Sequence, residues 1–263
     1  MDYVYVVVEG PNDVAALTKL FILQGAKQIK KLKQLQKIDE DNYWGNLTNQ
    51  KFPYNGDFTE RMPVPAFFLL DETLIAVHYA GGESQLIPTL TLSIANLDDS
   101  GARMKAIAIV CDADLKEPIE KIKAYQQLIA EQEDRPEVIN SFLHIRSAGE
   151  IVLTEPRVGI YVFPDNQNQG TLETVLLACA ETSYGDLLHE AGAYVGSFRE
   201  SYGADWKSDG ESKAIVGCIS NVLFPGTSNN VSLMKGDWLC TDTLETAGVK
   251  ELNSFFHTLL TRE

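Results

Sequence analysis

The sequence predicts an α/β domain with a mainly parallel central sheet flanked by helices, and three observations predict it. Short runs rich in β-branched residues alternate with longer segments of helical spacing, the pattern of strands joined by crossover helices. The runs Tyr3–Val8, Ala106–Cys111 and Val158–Phe163 are nearly continuous in β-formers, as strands buried on both faces should be. The 263 residues, 44% of them hydrophobic and 22% charged, are enough to bury one large core.

Taken in order, the first run ends at a turn, Glu9-Gly-Pro-Asn-Asp13. Val14, Leu17, Leu20 and Phe21 then keep helical spacing, and Gly25 is a natural stop. Residues 26–65 break the rhythm and read as an insertion with some structure of its own. Its lysines, Lys27 to Lys37, are interleaved with Ile29, Leu32, Leu35 and Ile38, which suggests a half-buried element with a solvated face rather than a nucleic-acid grip. Residues 66–70 and 74–79, separated by Asp71-Glu-Thr73, look like a hairpin. Gly81-Gly82 precedes a helical run to about Leu97; the glycines suit either a turn or a close approach to phosphate. The strand to Cys111 is followed by Pro118, placed to open a helix that continues to about Gln132. The strand to Phe163 precedes a helix at 171–178. From about residue 182 the chain reads as helical, with a polar loop near 225–242 and a last helix around 248–260. The whole is expected to be a single domain, 1–263.

Composition narrows the function. A net charge of −15 argues against a generic nucleic-acid coat protein, which needs a basic footprint. No window reaches the roughly 18 apolar residues of a membrane span, and the start has no signal-peptide pattern, so a soluble, cytoplasmic protein without membrane contact is expected. Cys111, Cys179, Cys218 and Cys240 contain no C-x-x-C pair, which disfavours structural zinc and a disulfide framework. Cys111 and Cys179 read as buried side chains. The four histidines lack H-E-x-x-H spacing, and neither a P-loop motif nor a G-x-S-x-G elbow occurs.

What remains is carboxylate chemistry. The apolar runs closing at residues 8, 111 and 163 are each followed by acidic residues: Glu9 and Asp13, Asp112 and Asp114, and Asp165. In open parallel sheets ligands bind beyond the carboxyl ends of the strands, so the three turns should converge on one crevice. Asp112 and Asp114, two apart, would point the same way in extended chain. Hard oxygen donors select Mg²⁺ or Mn²⁺, and a dication removes the repulsion between close carboxylates. Alone, each feature has an ordinary reading as a helix cap or a solvated strand end. Their joint occurrence points to metal.

The segments Val8-Glu-Gly-Pro-Asn-Asp-Val14 and Ile109-Val-Cys-Asp-Ala-Asp114 resemble the TOPRIM domain shared by topoisomerases, primases and OLD-type nucleases. Phe163-Pro-Asp-Asn-Gln-Asn-Gln-Gly-Thr-Leu-Glu173 and Lys213 look more like stand-alone TOPRIM-like proteins related to the OLD nucleases. The resemblance covers about 3–23 and 75–220. It implies a TOPRIM-like Rossmannoid fold and a two-metal phosphodiester hydrolase acting on DNA or RNA. Glu9, Asp13, Asp112, Asp114 and Glu173 would be metal ligands, with Asp165 second-tier. Glu9 and Lys213 would be catalytic, the lysine steadying a pentavalent phosphate. No Gly follows the D-x-D, which disfavours strand passage and primer synthesis. With no P-loop here, any ATPase would be a separate partner. The other reading is a non-catalytic module that binds nucleic acid, nucleotide or such an ATPase.

Overall fold

The computed structural model describes residues 1–48, 64–97, 99, 101–203 and 205–261. Its elements run β1 (Asp2–Val8), α1 (Pro11–Leu23), β2 (Lys27–Ile29), α2 (Leu32–Ile38), α3 (Gly45–Thr48), β3 (Ala66–Leu70), β4 (Thr73–Tyr79), α4 (Leu86–Ala95) and β5 (Met104–Asp112). There follow α5 (Pro118–Ala130), β6 (Ile151–Val152), β7 (Arg157–Phe163), α6 (Leu172–Ser183), α7 (Gly185–Tyr202), α8 (Gly210–Leu223), α9 (Asn229–Lys235) and α10 (Val249–Leu260). Seven strands form one sheet in the order β2-β3-β4-β1-β5-β7-β6. The central four, β4, β1, β5 and β7, are parallel, and β2, β3 and β6 add antiparallel edges. This is the expected α/β class, a mostly parallel sheet with helices on both faces.

The two-residue period of a strand explains the layering. On β1, Val4, Val6 and Val8 enter one core with Leu17 and Phe21 of α1, Leu176 of α6 and Phe256 of α10. Tyr3, Tyr5 and Val7 enter the other, with Leu86 and Leu90 of α4 and Ile122 and Tyr125 of α5. Both faces of β1 are therefore dry, and each fully buried Val contributes roughly 1.5–3 kcal/mol. Cys111 and Cys179 are buried, as their apolar neighbourhoods predict. β3 and β4 form the expected hairpin.

Three readings of the sequence need correction. The region at 26–65 is not all insertion: β2 pairs with β3, so its first residues are an edge of the main sheet. The remainder of that region from 49 to 63 lies outside the described residues. The expected polar loop at 225–242 contains α9, whose Leu233 is fully buried in the α1 face. The two-residue β6 was also not expected. Elements this short carry too little periodicity to be read without their partners.

Candidate functional site: an acidic cavity at the carboxyl edge of the sheet

The parallel order fixes where the chemistry can gather. β4, β1, β5 and β7 all end on one edge, and Val8 lies opposite Val110 in the register of β1 and β5. Glu9 and Asp112 therefore leave neighbouring strands side by side. The Asp112 amide donates to Glu9 Oε1 at 2.9 Å. On β5, Asp112 continues the Ala106, Ala108, Val110 face, toward α1 and α6. There its Oδ1 accepts from the Leu172 amide at 2.8 Å, at the first residue of α6. Asp13, in the first turn of α1, accepts from the Gly10 amide through Oδ2 at 2.7 Å.

Two of these bonds do what helix ends require, giving an acceptor to an amide without an intrahelical partner. Capping alone does not account for the rest. Glu9, Asp13, Asp112 and Glu173 line one cavity of about 390 Å³, with Lys213 of α8 at its wall. Asp13 and Glu173 are buried. In Glu9, Asp13 and Asp112 one carboxylate oxygen is held by a backbone amide, and these bonds leave the other oxygen unused.

Electrostatics registers the crowding. Burial pushes the Asp13 carboxyl from 3.8 up to about 7; the Gly10 amide and Lys213 oppose this, and the charges of Glu9 and Glu173 add to it. Burial also raises Asp112 well above the carboxylate range, with Asp13, Glu9 and Glu173 pushing the same way and the Leu172 amide opposing. Glu9 is raised by burial, partly offset by the Asp112 amide and Lys121. For Lys213, burial works against the charge but is outweighed by its ion pair with Asp209, one turn earlier, and by Glu173 and Asp112. A site that penalises its own negative charge in this way favours added positive charge.

Gly81 and Gly82 complete the wall as a turn. Their amides donate to the Glu9 carbonyl at 3.0 and 2.9 Å, so they pin the main chain at Glu9 and are not directed at a phosphate. Their φ angles of 90° and 131° are open only to glycine at low cost.

Two expected ligands lie elsewhere. Asp114 does not follow Asp112 into the cavity, because its φ of 56° ends the extended alternation. Its main chain pairs with Gly170, and its Oδ2 meets Lys121 Nζ at 2.8 Å. Asp165 lies at a different cavity, with Ser147, Gly149, Asn166 and Glu251. It accepts from the Gln167 and Asn168 amides at 3.0 and 2.8 Å. The third strand thus contributes through Glu173 on the following helix.

Among the described residues no three acidic, His or Cys side chains already stand in ligating geometry around one point. The four carboxylates share a cavity rather than a finished coordination shell. Their donor set nonetheless fits Mg²⁺ or Mn²⁺: all carboxylate oxygen, with surplus negative charge.

Sequence reasoning missed Lys121. Its side chain is 1% exposed and bridges Asp114 Oδ2 and Glu83 Oε1, each at 2.8 Å. A signal was present: on α5 it falls in the apolar row Pro118, Ile122, Tyr125, Ile129, where a charged residue needs a buried partner.

The family described as "Protein of unknown function (DUF3226)" matches residues 3–261. No match is found among curated proteins. Among solved structures, the hypothetical protein PH0156 from Pyrococcus horikoshii OT3 is similar in fold, with a TM-score of 0.59 at 16% identity, over 99% of this chain and all of that one. Among the described residues no helix is long and apolar enough to cross a membrane.

Proposed function

The chain belongs to the DUF3226 family, a family of unknown function, and we propose that it is a Mg²⁺- or Mn²⁺-dependent phosphodiester hydrolase of TOPRIM-like, OLD-related type. It acts on DNA or RNA in the cytoplasm. The observation that carries this reading is the convergence of Glu9, Asp13, Asp112 and Glu173, from three strand–helix junctions, on one cavity that also holds Lys213. The parallel order of β4, β1, β5 and β7, with acidic residues where β1 and β5 end, supports the TOPRIM-like assignment.

Glu9, Asp13, Asp112 and Glu173 would hold the cation, which when bound polarises a phosphoryl oxygen and lowers the pKa of a coordinated water. The protein's own part is placement. Backbone amides fix one oxygen each of Glu9, Asp13 and Asp112, so their approach costs little reorganisation when substrate binds. Lys213 reaches the cavity wall from α8 and offsets charge that develops on the phosphoryl oxygens; such a donor contributes about 3 kcal/mol in studied enzymes. Asp209 holds its ammonium from one turn away.

The test is nicking of supercoiled plasmid, single-stranded DNA and RNA in Mn²⁺ by the parent chain and by Asp112→Asn. The variant keeps an acceptor for the Leu172 amide and should stay folded, but cleavage should be lost. Equal cutting by the variant would refute the assignment. The net charge of −15 favours a second reading, a non-catalytic module for nucleic acid, nucleotide or a separate ATPase. Metal-dependent binding without turnover would select it.

A further inference from the structure

We propose that Lys121 occupies the place of a second dication, so that the acidic cavity takes one Mg²⁺ or Mn²⁺ per chain rather than a pair. This rests on the metal-dependent reading above and departs from the two-metal arrangement that the family resemblance implies.

The second carboxylate of the D-x-D, Asp114, stands apart from the first. In the paired-ion site that the resemblance implies, Asp114 is a ligand together with Glu9 and Asp112. Instead the left-handed backbone at Asp114 turns it away, and two main-chain bonds with Gly170, both 2.9 Å, lock that turn. The carboxylate ends on the Lys121 ammonium, which also holds Glu83, from the turn before α4. Lys121 is held within the fold: it belongs to the buried row of α5 with Ile122, Tyr125 and Ile129.

A dication at Asp114 would face the Lys121 ammonium, already bonded to one oxygen of Asp114 and one of Glu83. Expelling Lys121 would leave a buried ammonium without partners, and a buried charge without a partner is strongly unfavourable. Sitting beside it would set positive charge against positive charge. Lys121 therefore neutralises one of the two charges of Glu83 and Asp114 from a fixed position, while Glu9, Asp13, Asp112 and Glu173 keep their surplus charge for one ion. Lys121 is a positioning residue and touches no substrate.

The experiment counts Mn²⁺ ions bound per folded chain, by equilibrium dialysis and by the loss of the free-ion paramagnetic resonance signal. The parent protein should bind one ion. Two ions would overturn the Lys121 proposal while leaving the hydrolase reading intact; none would overturn both. Lys121→Met should bind a second, weaker ion, and an unchanged count in the folded variant would show that the lysine does not exclude it. Should Lys121→Met fail to fold, Asp114→Asn decides: it should still bind one ion, whereas Asp112→Asn loses it. Loss of the ion in Asp114→Asn would overturn the proposal.

Discussion

Asp13 offers the sharpest physical prediction, because its penalty can be read as stability. In the folded protein its carboxyl is raised from 3.8 to about 7, chiefly by burial and then by Glu9 and Glu173. The unfolded chain gives up this proton near the ordinary value. As pH rises from 3.8 toward 7 the unfolded state therefore holds fewer protons than the folded one, and stability falls. Below 3.8 the penalty is absent, and above about 7 it is complete and constant. Between pH 5 and 7 the loss spans about two pH units at ~1.4 kcal/mol each, or ~3 kcal/mol from this group. Glu9 and Asp112 are shifted in the same direction, so the parent protein's total is larger. In Asp13→Asn the amide oxygen can still accept from Gly10, but no charge forms. Urea unfolding in EDTA at pH 5 and 8 should show a clear fall in stability for the parent and a fall smaller by ~3 kcal/mol for the variant. Millimolar Mg²⁺ should restore the parent at pH 8 and do less for the variant, since a ligand stabilises only through the state that binds it. Equal pH dependence in the two proteins would refute the buried, mutually repelling site.

Other substitutions separate the parts. Lys213→Met should lower kcat on plasmid by about 10²–10³-fold and also lower stability to urea at pH 8 in EDTA, because it removes a positive charge that offsets Asp13 and leaves the largely buried Asp209 carboxylate without its ion pair. Asp165→Ala should leave Mn²⁺ affinity unaltered and cost no more than about 1 kcal/mol by urea titration, since it serves its own turn. Gly82→Ala should cost about 1–3 kcal/mol from the positive φ and also weaken Mn²⁺ binding, because it disturbs the clamp on Glu9.

Much of this fold is visible in the sequence because its central strands are dry on both faces. Tyr3–Val8 and Ala106–Cys111 have no polar alternation to hide them, and acidic turns mark where they stop. The grouping of Glu9, Asp13, Asp112 and Glu173 follows from parallel order, which β-branched runs alternating with helices already imply. The direction of Asp114 does not follow, because two-residue spacing predicts a shared face only while the chain stays extended. A single left-handed residue ends that rule, and nothing in Ala113-Asp114-Leu115 announces it. Asp165 misleads for a related reason: the Asp-Asn-Gln-Asn run supplies local turn bonds that compete for its oxygens. The short edges β2 and β6 form because neighbouring strands present open hydrogen-bonding groups, a cause that no local window contains.

The most direct measurement of the central claim is the anomalous difference signal of Mn²⁺ in crystals of the protein. A peak within ligand distance of oxygens from Glu9, Asp112 and at least one of Asp13 or Glu173 is the expected result. A peak at Asp165, or no peak in the cavity of Glu9 and Asp112 at millimolar Mn²⁺ in crystals that diffract well, would contradict it.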